Sequence, residues 1–464
     1  MLKHSLLTAL FLLCVFLTCT TASAQNLCPT GVASDKLICL LNQNISLSSI
    51  VSGQQVGAFK NNFAGSFSPL NAAIGRQSAL LPLASPSAGI TFSWNAPAKT
   101  FVASTDSFGP ILGERAETIG KSRMFIGFSY QYFKFDALDG VNLKKMPVVL
   151  TQQDTISPLA PTQTCSVNGN NTGTACGFIR DVIKTDNSID LKVHQFTTFI
   201  AFGLTNRIDV SVAIPIENVR MGIFSAARIV DNSQTFVHAF VPTATCPDPC
   251  LQSSFSNVRS ASGIGDMTLR LKGTAWKGER AGVALGVDVR VPTGDQLNFL
   301  GAGAAGFKPF VIWSYRSRIS PHALVGYEVN GSSVVAGDIS TGTKERLPSQ
   351  LTYIAGADVW FTKRFTAAFD LVGQEVFEAE RSSVGDFTEP APCTDSNCNA
   401  FLRPNHDLAL RLRAGSYNAS SVSAGFKVRP FGSLLLTGNV LIRLNDNAGL
   451  RAKYVPLAGL SYTF

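Results

Sequence analysis

The sequence predicts an all-β protein, a transmembrane antiparallel β-barrel of 12 to 14 strands preceded by an irregular N-terminal segment. Three observations support this fold class. The final segment, Tyr454–Phe464, alternates bulky and small residues, as a strand between lipid and a polar interior does. The chain begins with a secretory signal. After that signal, no apolar run reaches the roughly 18 residues that a membrane-spanning helix needs.

The N-terminal signal is Met1–Ala24, which has the basic, apolar and small-residue parts of a signal peptide. Lys3 precedes the apolar run, and Ala22-Ser-Ala24 fits the cleavage site. A lipoprotein signal cut before Cys19 is the alternative, but a threonine is a poor residue for the position before that cysteine. We therefore expect an exported protein of the bacterial outer membrane.

The segment that follows, Gln25–Gly89, is rich in Asn, Ser, Leu and Ala and is too irregular for barrel strands. A short helix is predicted at Asp35–Asn42. The segment could plug the barrel or hang in the periplasm as a leader, and a disordered extension is the plainest interpretation. The predicted division is 1–24 signal peptide, 25–89 N-terminal plug or periplasmic leader, and 90–464 outer-membrane β-barrel.

The remaining chain alternates tight turns with long connections and gives twelve strands from Arg123 onward. All the tight turns fall on the side of the C-terminus, which is typical of outer-membrane barrels with short periplasmic turns and long outer loops. One strand is predicted at Ile208–Ile216, followed by a long loop to Gly263. A further hairpin, Ile90–Trp94 with Thr100–Ala103, would make fourteen strands.

Composition agrees with a sheet protein and excludes other classes. The 464 residues include 39 Gly and 32 Phe, only 15% are charged, and the mean hydropathy is +0.17. Glycine and aromatic residues at this level suit a Gly-rich sheet better than a helical enzyme. The net charge is +8, yet the basic residues form no run with interleaved aromatics. We therefore predict no nucleic-acid partner.

The last strand also carries a predicted assembly signal. Tyr462 and Phe464 share the face that would meet lipid, and a terminal aromatic in this setting resembles the signature by which outer-membrane barrels are recognised. The expected partners are outer-membrane lipid and the barrel assembly machinery.

The cysteines outside the signal fall into four close pairs, each in a predicted loop or terminal segment. An even number at such spacings in an exported protein predicts disulfides. A metal site at the third pair is the alternative, but no second cysteine pair at zinc-finger spacing accompanies it. The pairs are Cys28 with Cys39, Cys165 with Cys176, Cys246 with Cys250, and Cys393 with Cys398.

Parity along the strands predicts which charges face the lumen. If the bulky apolar residues face lipid, the charged residues between them point inward, since a lysine or arginine on the lipid face near mid-membrane costs about 2–4 kcal/mol. Both signs occur, so an internal ion-pair network and a selectivity element remain open. The predicted lumen-facing charges are Asp209, Asp266, Arg270, Lys272, Asp288, Arg290, Asp358, Asp370, Lys427 and Arg429.

Several short motifs over Ser107–Phe464 resemble the outer-membrane transporter family of the MetA pathway of phenol degradation. They are Ser129-Tyr-Gln-Tyr132 with Asp139-Gly140, Val291-Pro-Thr-Gly-Asp295, Gly301-Ala-Gly303, Ser320-Pro-His322 with Gly326-Tyr327, and Leu347-Pro348. That family is distantly similar to the long-chain fatty-acid and aromatic-hydrocarbon channels, which have fourteen strands and an N-terminal plug. Their Asn-Pro-Ala plug signature is absent here, and only Asn95-Ala-Pro-Ala98 is present.

The resemblance implies uptake of small apolar compounds, so we expect a channel for passive uptake of small, apolar or aromatic solutes. A general hydrophilic porin and a structural or adhesive surface barrel with disulfide-stapled loops are the alternatives. No enzyme is expected, because G-x-S-x-G and H-E-x-x-H motifs are absent. His322, beside a turn, is interpreted as a turn residue rather than a base. No cofactor and no metal are expected.

Overall fold

The computed structural model describes residues 36–43, 50–51, 68–79, 92–95, 100–103, 107–151, 181–232, 239–338, 342–392, 394 and 402–464. The predicted signal peptide lies outside these residues, as do Cys28, Cys165, Cys176, Cys393 and Cys398. Within the described residues, no helix is long and apolar enough to cross a membrane.

Twelve long antiparallel strands of the described chain pair in sequence order and close into a barrel, because β12 pairs with β1. They are β1 Met124–Leu138, β2 Val182–Gly203, β3 Ile208–Val230, β4 Met267–Lys277, β5 Ala281–Val291, β6 Gly306–Tyr315, β7 Ile319–Asn330, β8 Gln350–Thr362, β9 Phe365–Thr388, β10 His406–Val428, β11 Leu435–Arg443 and β12 Tyr454–Thr463. The β-barrel class is therefore confirmed.

The strand number is the lower of the two predicted. The hairpin expected near the N-terminus forms, since Phe92–Asn95 pairs with Thr100–Ala103, but it makes a two-stranded sheet of its own outside the barrel sheet. Fourteen strands was therefore wrong. Other short pieces are Ile50–Val51 with Ala239–Phe240, Ser332–Asp338 with Thr343–Arg346, and Val141–Asn142, Met146–Thr151 and Leu450–Ala452 at the barrel rim.

The lower part of the barrel, next to the tight turns, has the polarity of a membrane protein. On β3, Ile208, Ile216 and their even-numbered neighbours face outward and are partly or fully exposed, while Asp209 and Glu217 face inward and are buried. A tilted strand crosses the apolar part of an outer membrane in about 9–11 residues. Residues from Ile208 to about Glu217 are therefore sufficient to span it.

Above this band the same strands continue, and their polarity reverses. On β2 the outward Phe196 and Ile200 give way to Lys192 and Asp190. On the inner face Gln195 gives way to buried apolar residues. β1 and β3 change in the same way and at the same height. Above the band, β1 to β3 therefore resemble the wall of a soluble barrel, with a mostly apolar inner face and a more polar outer face, although Phe224 stays exposed outside.

This reversal corrects the predicted boundaries. β3 runs to Val230 rather than ending at Ile216, and Gln252–Ile264, which was expected to be a loop, is a strand that pairs with upper β3 and leads into β4. Alternation continues through the change, but the apolar residues move to the other parity. A strand that is predicted from apolar residues on one fixed face therefore ends too early, at the membrane boundary.

Two helices lie against the upper barrel wall, α1 at Leu37–Gln43 and α2 at Ser68–Ala79. The α1 helix falls where the sequence predicted a short helix and contacts Gln252–Ile264 and β3, while α2 contacts β9 and the piece Ser332–Asp338. Both helices contribute buried side chains to the largest apolar cluster of the described chain. The two helices therefore occupy part of the upper lumen.

Candidate functional site

The upper lumen is lined and packed by buried apolar side chains, and we call this region the vestibule. Its wall is formed by inward side chains of β1, β2 and β3, each at most 5% exposed. These belong to the largest apolar cluster together with Leu297, Phe299 and Leu300 from the loop after β5. The wall residues are Phe133, Phe135, Leu191, Val193, Val219, Met221 and Ile223.

The N-terminal helices occupy this vestibule. In α1, the side chains of Leu37, Ile38 and Leu40 are at most 1% exposed. A 7-residue helix cannot bury side chains by itself, so the surrounding wall covers them. The ammonium of Lys36 lies 2.9 Å from a carboxylate oxygen of Asp295. The N–H of Leu37 donates to Asn298 Oδ1 at 3.1 Å. The start of α1 is therefore held by the loop after β5.

The lower lumen is crossed by residues 107–121, which we call the crossing segment. Ser107 to Gly120 are all buried, and they contact inward residues of β2 to β4 and β6 to β10 before the chain turns into β1. Gly113 lies close to the wall, because a Cβ there would be 2.5 Å from His322 Nε2. A polypeptide therefore fills the part of the barrel that a general porin would leave open to water.

Adjacent residues of the crossing segment carry opposite charges and pair with opposite walls. Glu114 accepts hydrogen bonds from Arg270 and Lys272 of β4, the latter at 3.2 Å. Arg270 also binds Asp288 of β5 through two nitrogens, at 2.6 and 2.8 Å. Lys308 of β6 lies 3.0 Å from the same carboxylate. Charges of both signs thus alternate along this wall.

The other half of the crossing segment binds β8. Arg115 Nη2 lies 2.6 Å from Asp358 Oδ2, and both side chains are at most 2% exposed. Ser107 donates its hydroxyl to the same carboxylate. His322 is 3.7 Å from Asp358 and 2.6 Å from Asp370, which makes it part of this buried charged group rather than a turn residue.

The remaining residues predicted to face the lumen lie at three levels. Asp209 accepts from the N–H of Ile119 at 2.9 Å, and Lys427 donates to Pro110 O at 2.5 Å, so both hold the crossing segment. At the upper end of the lower lumen, Asp266 accepts from the N–H groups of Gly294 and Ala302. Arg290 donates to Asn330 Oδ1.

Arg429 differs from the others because it follows the last residue of β10, at the rim next to the tight turns. Its guanidinium donates to Lys363 O at 2.8 Å and lies 5.3 Å from the ring centroid of Phe108. It therefore covers the first turn of the crossing segment from below.

Three residues in the lumen that pair with these wall charges were not predicted from the sequence: Glu114, Arg115 and Glu117. A signal was present, because Gly113-Glu-Arg-Ala-Glu117 puts three charges into five residues immediately before the first barrel strand. It was overlooked because parity arguments apply only to strands, and these residues are in irregular structure. Lys308 and Arg316, which pair with Asp288 and Glu117, were also missed.

The predicted disulfides and terminal aromatics are placed as follows. Cys246 and Cys250 form a disulfide in the loop after β3, and Cys39 on α1 is disulfide-bonded. Tyr462 and Phe464 are 38% and 56% exposed on the outer face, with ring centroids 4.7 Å apart. The N–H of Phe464 donates to Met124 O, which ties the chain end to β1. Among the described residues, no group of acidic, histidine and cysteine side chains could hold a metal ion.

A closed barrel with an apolar outer belt, an internal segment and an inner charged layer defines the class of outer-membrane β-barrels. Comparison with known families agrees with this class. Residues 184–411 match the model of the family described as "Putative MetA-pathway of phenol degradation". The resemblance inferred from the sequence motifs is thereby confirmed.

Two solved structures align with most of this chain at low sequence identity. An outer membrane channel from Pseudomonas putida F1 is 9% identical, with 75% of this chain and 98% of that chain covered and a TM-score of 0.41. A FadL homologue from Pseudomonas aeruginosa is 10% identical over 74% and 89%, with a TM-score of 0.28. No protein with a curated description matches the chain.

Proposed function

We propose that the protein takes up a small apolar or aromatic solute by passive diffusion, receiving it in the vestibule on the outer side. The observation that carries this proposal is the polarity of the upper lumen. The interior of a water-filled barrel is polar, whereas here Phe133, Leu191, Met221 and their neighbours line the interior with apolar side chains. Ligand pockets in proteins are lined mostly by apolar residues with few polar groups, and the wall of the vestibule has that composition.

The N-terminal helices support the same proposal, since they occupy the place that a solute would take. Leu37, Ile38 and Leu40 bury their side chains against the vestibule wall. The helix α1 is short, and the contacts at its start include a partly exposed ion pair of Lys36 with Asp295, a hydrogen bond from Leu37 N–H to Asn298 and one from Arg259 to Lys36 O. Exposed ion pairs contribute about 0–1 kcal/mol. An apolar solute that takes the place of α1 must replace the buried contacts of Leu37, Ile38 and Leu40 with its own, and the helices α1 and α2 would act as a displaceable plug.

The crossing segment sets the second condition of the proposal. Its ion pairs with β4 and β8 close the lower lumen to hydrophilic solutes, so onward passage requires the segment to shift or the solute to pass beside it. This favours a selective channel over a general hydrophilic porin. The description of the matched family, which names phenol degradation, is consistent with an aromatic solute.

Uptake by whole cells tests the proposal. A Gram-negative host that expresses the wild-type protein should take up radiolabelled naphthalene several-fold faster than the same host with Met221→Gln, which places an amide in the vestibule wall. The matched control is Phe224→Gln on the same strand, because Phe224 faces outward and is 48% exposed. Arabinose uptake should be equal in all strains. Fast arabinose uptake with wild type alone would indicate a porin, and no effect on either solute would indicate a structural or adhesive barrel.

A further inference from the structure

A row of three cations crosses the outer surface of the barrel. Lys134 of β1, Lys192 of β2 and Arg220 of β3 are direct neighbours in the strand register, Lys134 opposite Lys192 and Lys192 opposite Arg220. All three belong to the outward parity of their strands, and Lys134 and Arg220 are exposed. We call these residues the cationic row. Lys144 and Lys453 flank it, both exposed.

The cationic row lies at the outer boundary of the membrane band. It is about one strand crossing away from the tight turns, since Arg220 follows Ile208 at the start of β3 by about the number of residues that a tilted strand needs to span the apolar layer. Directly below it are the rings of Tyr130, Tyr132 and His194. The Tyr130 hydroxyl lies 2.8 Å from His194 Nδ1. Aromatic side chains of this kind mark the membrane–water interface.

Such a row is unfavourable unless something neutralises it, because like charges directly opposite each other on a sheet are destabilising. Asp136, two residues from Lys134 on β1, pairs with Arg443. The carboxylate that pairs with the row is Asp190, 2.6 Å from the Lys192 ammonium and 3.6 Å from that of Lys144. The single negative charge of Asp190 cannot neutralise the three cations of the row together with Lys144 and Lys453. At the corresponding height on the opposite wall the surface carries Glu375, which accepts a hydrogen bond from Asn418. A carboxylate rather than a cation thus lies at this point of the opposite wall.

We propose that the cationic row binds the phosphate groups of a phosphorylated glycolipid in the outer leaflet. The chemistry fits at three levels. Lysine and arginine at the boundary meet phosphate with charge-assisted hydrogen bonds. Tyr130, Tyr132 and His194 contact the sugar and the interface, and Phe128, Phe196 and Ile216 below them are about half exposed and suit acyl chains. This proposal rests on the barrel spanning the outer membrane and is independent of the solute that the vestibule receives.

Native mass spectrometry of the purified protein tests the proposal, with bis-phosphorylated lipid A as the probe and dephosphorylated lipid A as its comparison. The variant carries Lys134→Gln, Lys192→Gln and Arg220→Gln. The control carries Lys277→Gln, Arg280→Gln and Lys363→Gln, which removes the same charge from exposed residues at the tight turns. Both must keep the shift in gel mobility on heating that a closed barrel shows.

We expect one lipid A to bind wild type and the control alike, and the row variant to bind it about one hundred-fold more weakly, since each surface cation contributes about a factor of five toward an anionic lipid. Dephosphorylated lipid A should bind as weakly to wild type as the bis-phosphorylated lipid binds to the variant. Equal binding by the row variant and the control would overturn the proposal. Displacement by free pyrophosphate at the same concentration as lipid A would also overturn it, because the site would then take phosphate rather than the lipid.

Discussion

Asp358 is the residue at which three parts of the lower lumen meet. Its carboxylate accepts from Arg115 and Ser107 of the crossing segment and lies 3.7 Å from His322. The side chain is fully buried, and its closest cation is buried as well. Removing one partner of such a pair leaves an unpaired buried charge, which is more costly than the pair is worth.

Asp358→Asn should therefore destabilise the barrel by about 3–5 kcal/mol, because Arg115 keeps its charge and loses its carboxylate. The measurement is the temperature at which the folded band disappears in a gel of unboiled protein. Asp386→Asn, at an exposed aspartate of the β9–β10 hairpin, is the control and should leave that temperature unchanged. A similar small effect of both variants would show that the pair with Arg115 does not hold the crossing segment.

A second residue links the upper ends of two distant strands. Asp407 of β10 lies 2.7 Å from the Lys184 ammonium of β2, and Lys184 also contacts Glu389. The hydrogen bond from Lys184 lowers the pKa of Asp407 below its ordinary value of 3.8. The stability it contributes is therefore complete above that pH and is lost as the pH falls through the lowered pKa.

Asp407→Asn should lower the melting temperature slightly at pH 7, by an amount equivalent to less than about 1 kcal/mol because the pair is partly exposed. At a pH below the lowered pKa the variant and wild type should melt together, because the wild-type carboxyl is then protonated. The melting temperatures of the variant and of wild type are measured by calorimetry at both pH values. An equal difference at both would mean that charge plays no part in this contact.

At the scale of elements, the crossing segment is held by pairs on opposite walls. Glu114 binds β4 and Arg115 binds β8. Neither pair could be predicted from the sequence, because 243 residues separate Arg115 from Asp358 and spacing carries no information on such a distance. The strands themselves could be predicted, since a period of two is a local property.

Removing both charges, Glu114→Ala with Arg115→Ala, should loosen the crossing segment and admit water to the lower lumen. Liposomes with the double variant should swell in arabinose at least several-fold faster than liposomes with wild type. The matched control is Glu279→Ala with Arg280→Ala, an adjacent exposed pair in the turn between β4 and β5. Rapid swelling with wild type itself would contradict the closed lower lumen.

At the scale of the whole molecule, a change of parity on β1 to β3 marks the boundary between the membrane part and the outer part. On β3 the inward residues are Asp209 and Glu217 below and Val219 and Met221 above. The sequence predicted the lower part, where bulky residues face lipid. The upper part was not predicted, because there the outward side chains meet water and the inward side chains are packed apolar groups. This is the reverse of the arrangement in the membrane part.

The same change of parity accounts for both proposals. Where it occurs, the interior turns apolar and makes the vestibule, and the exterior turns polar and carries Lys134, Lys192 and Arg220. The vestibule requires something apolar inside it, and α1 supplies this in the structure. The central claim is that a small apolar solute can take the place of α1.

Equilibrium binding of tritiated naphthalene to the full chain in nanodiscs tests that claim most directly, with empty nanodiscs of the same lipid as background. Wild type and Phe224→Gln should bind naphthalene saturably and alike, Met221→Leu should retain this binding, and Met221→Gln should weaken it at least tenfold. No saturable binding above the lipid background in wild type, or equal binding by Met221→Gln and Phe224→Gln, would contradict a solute site in the vestibule.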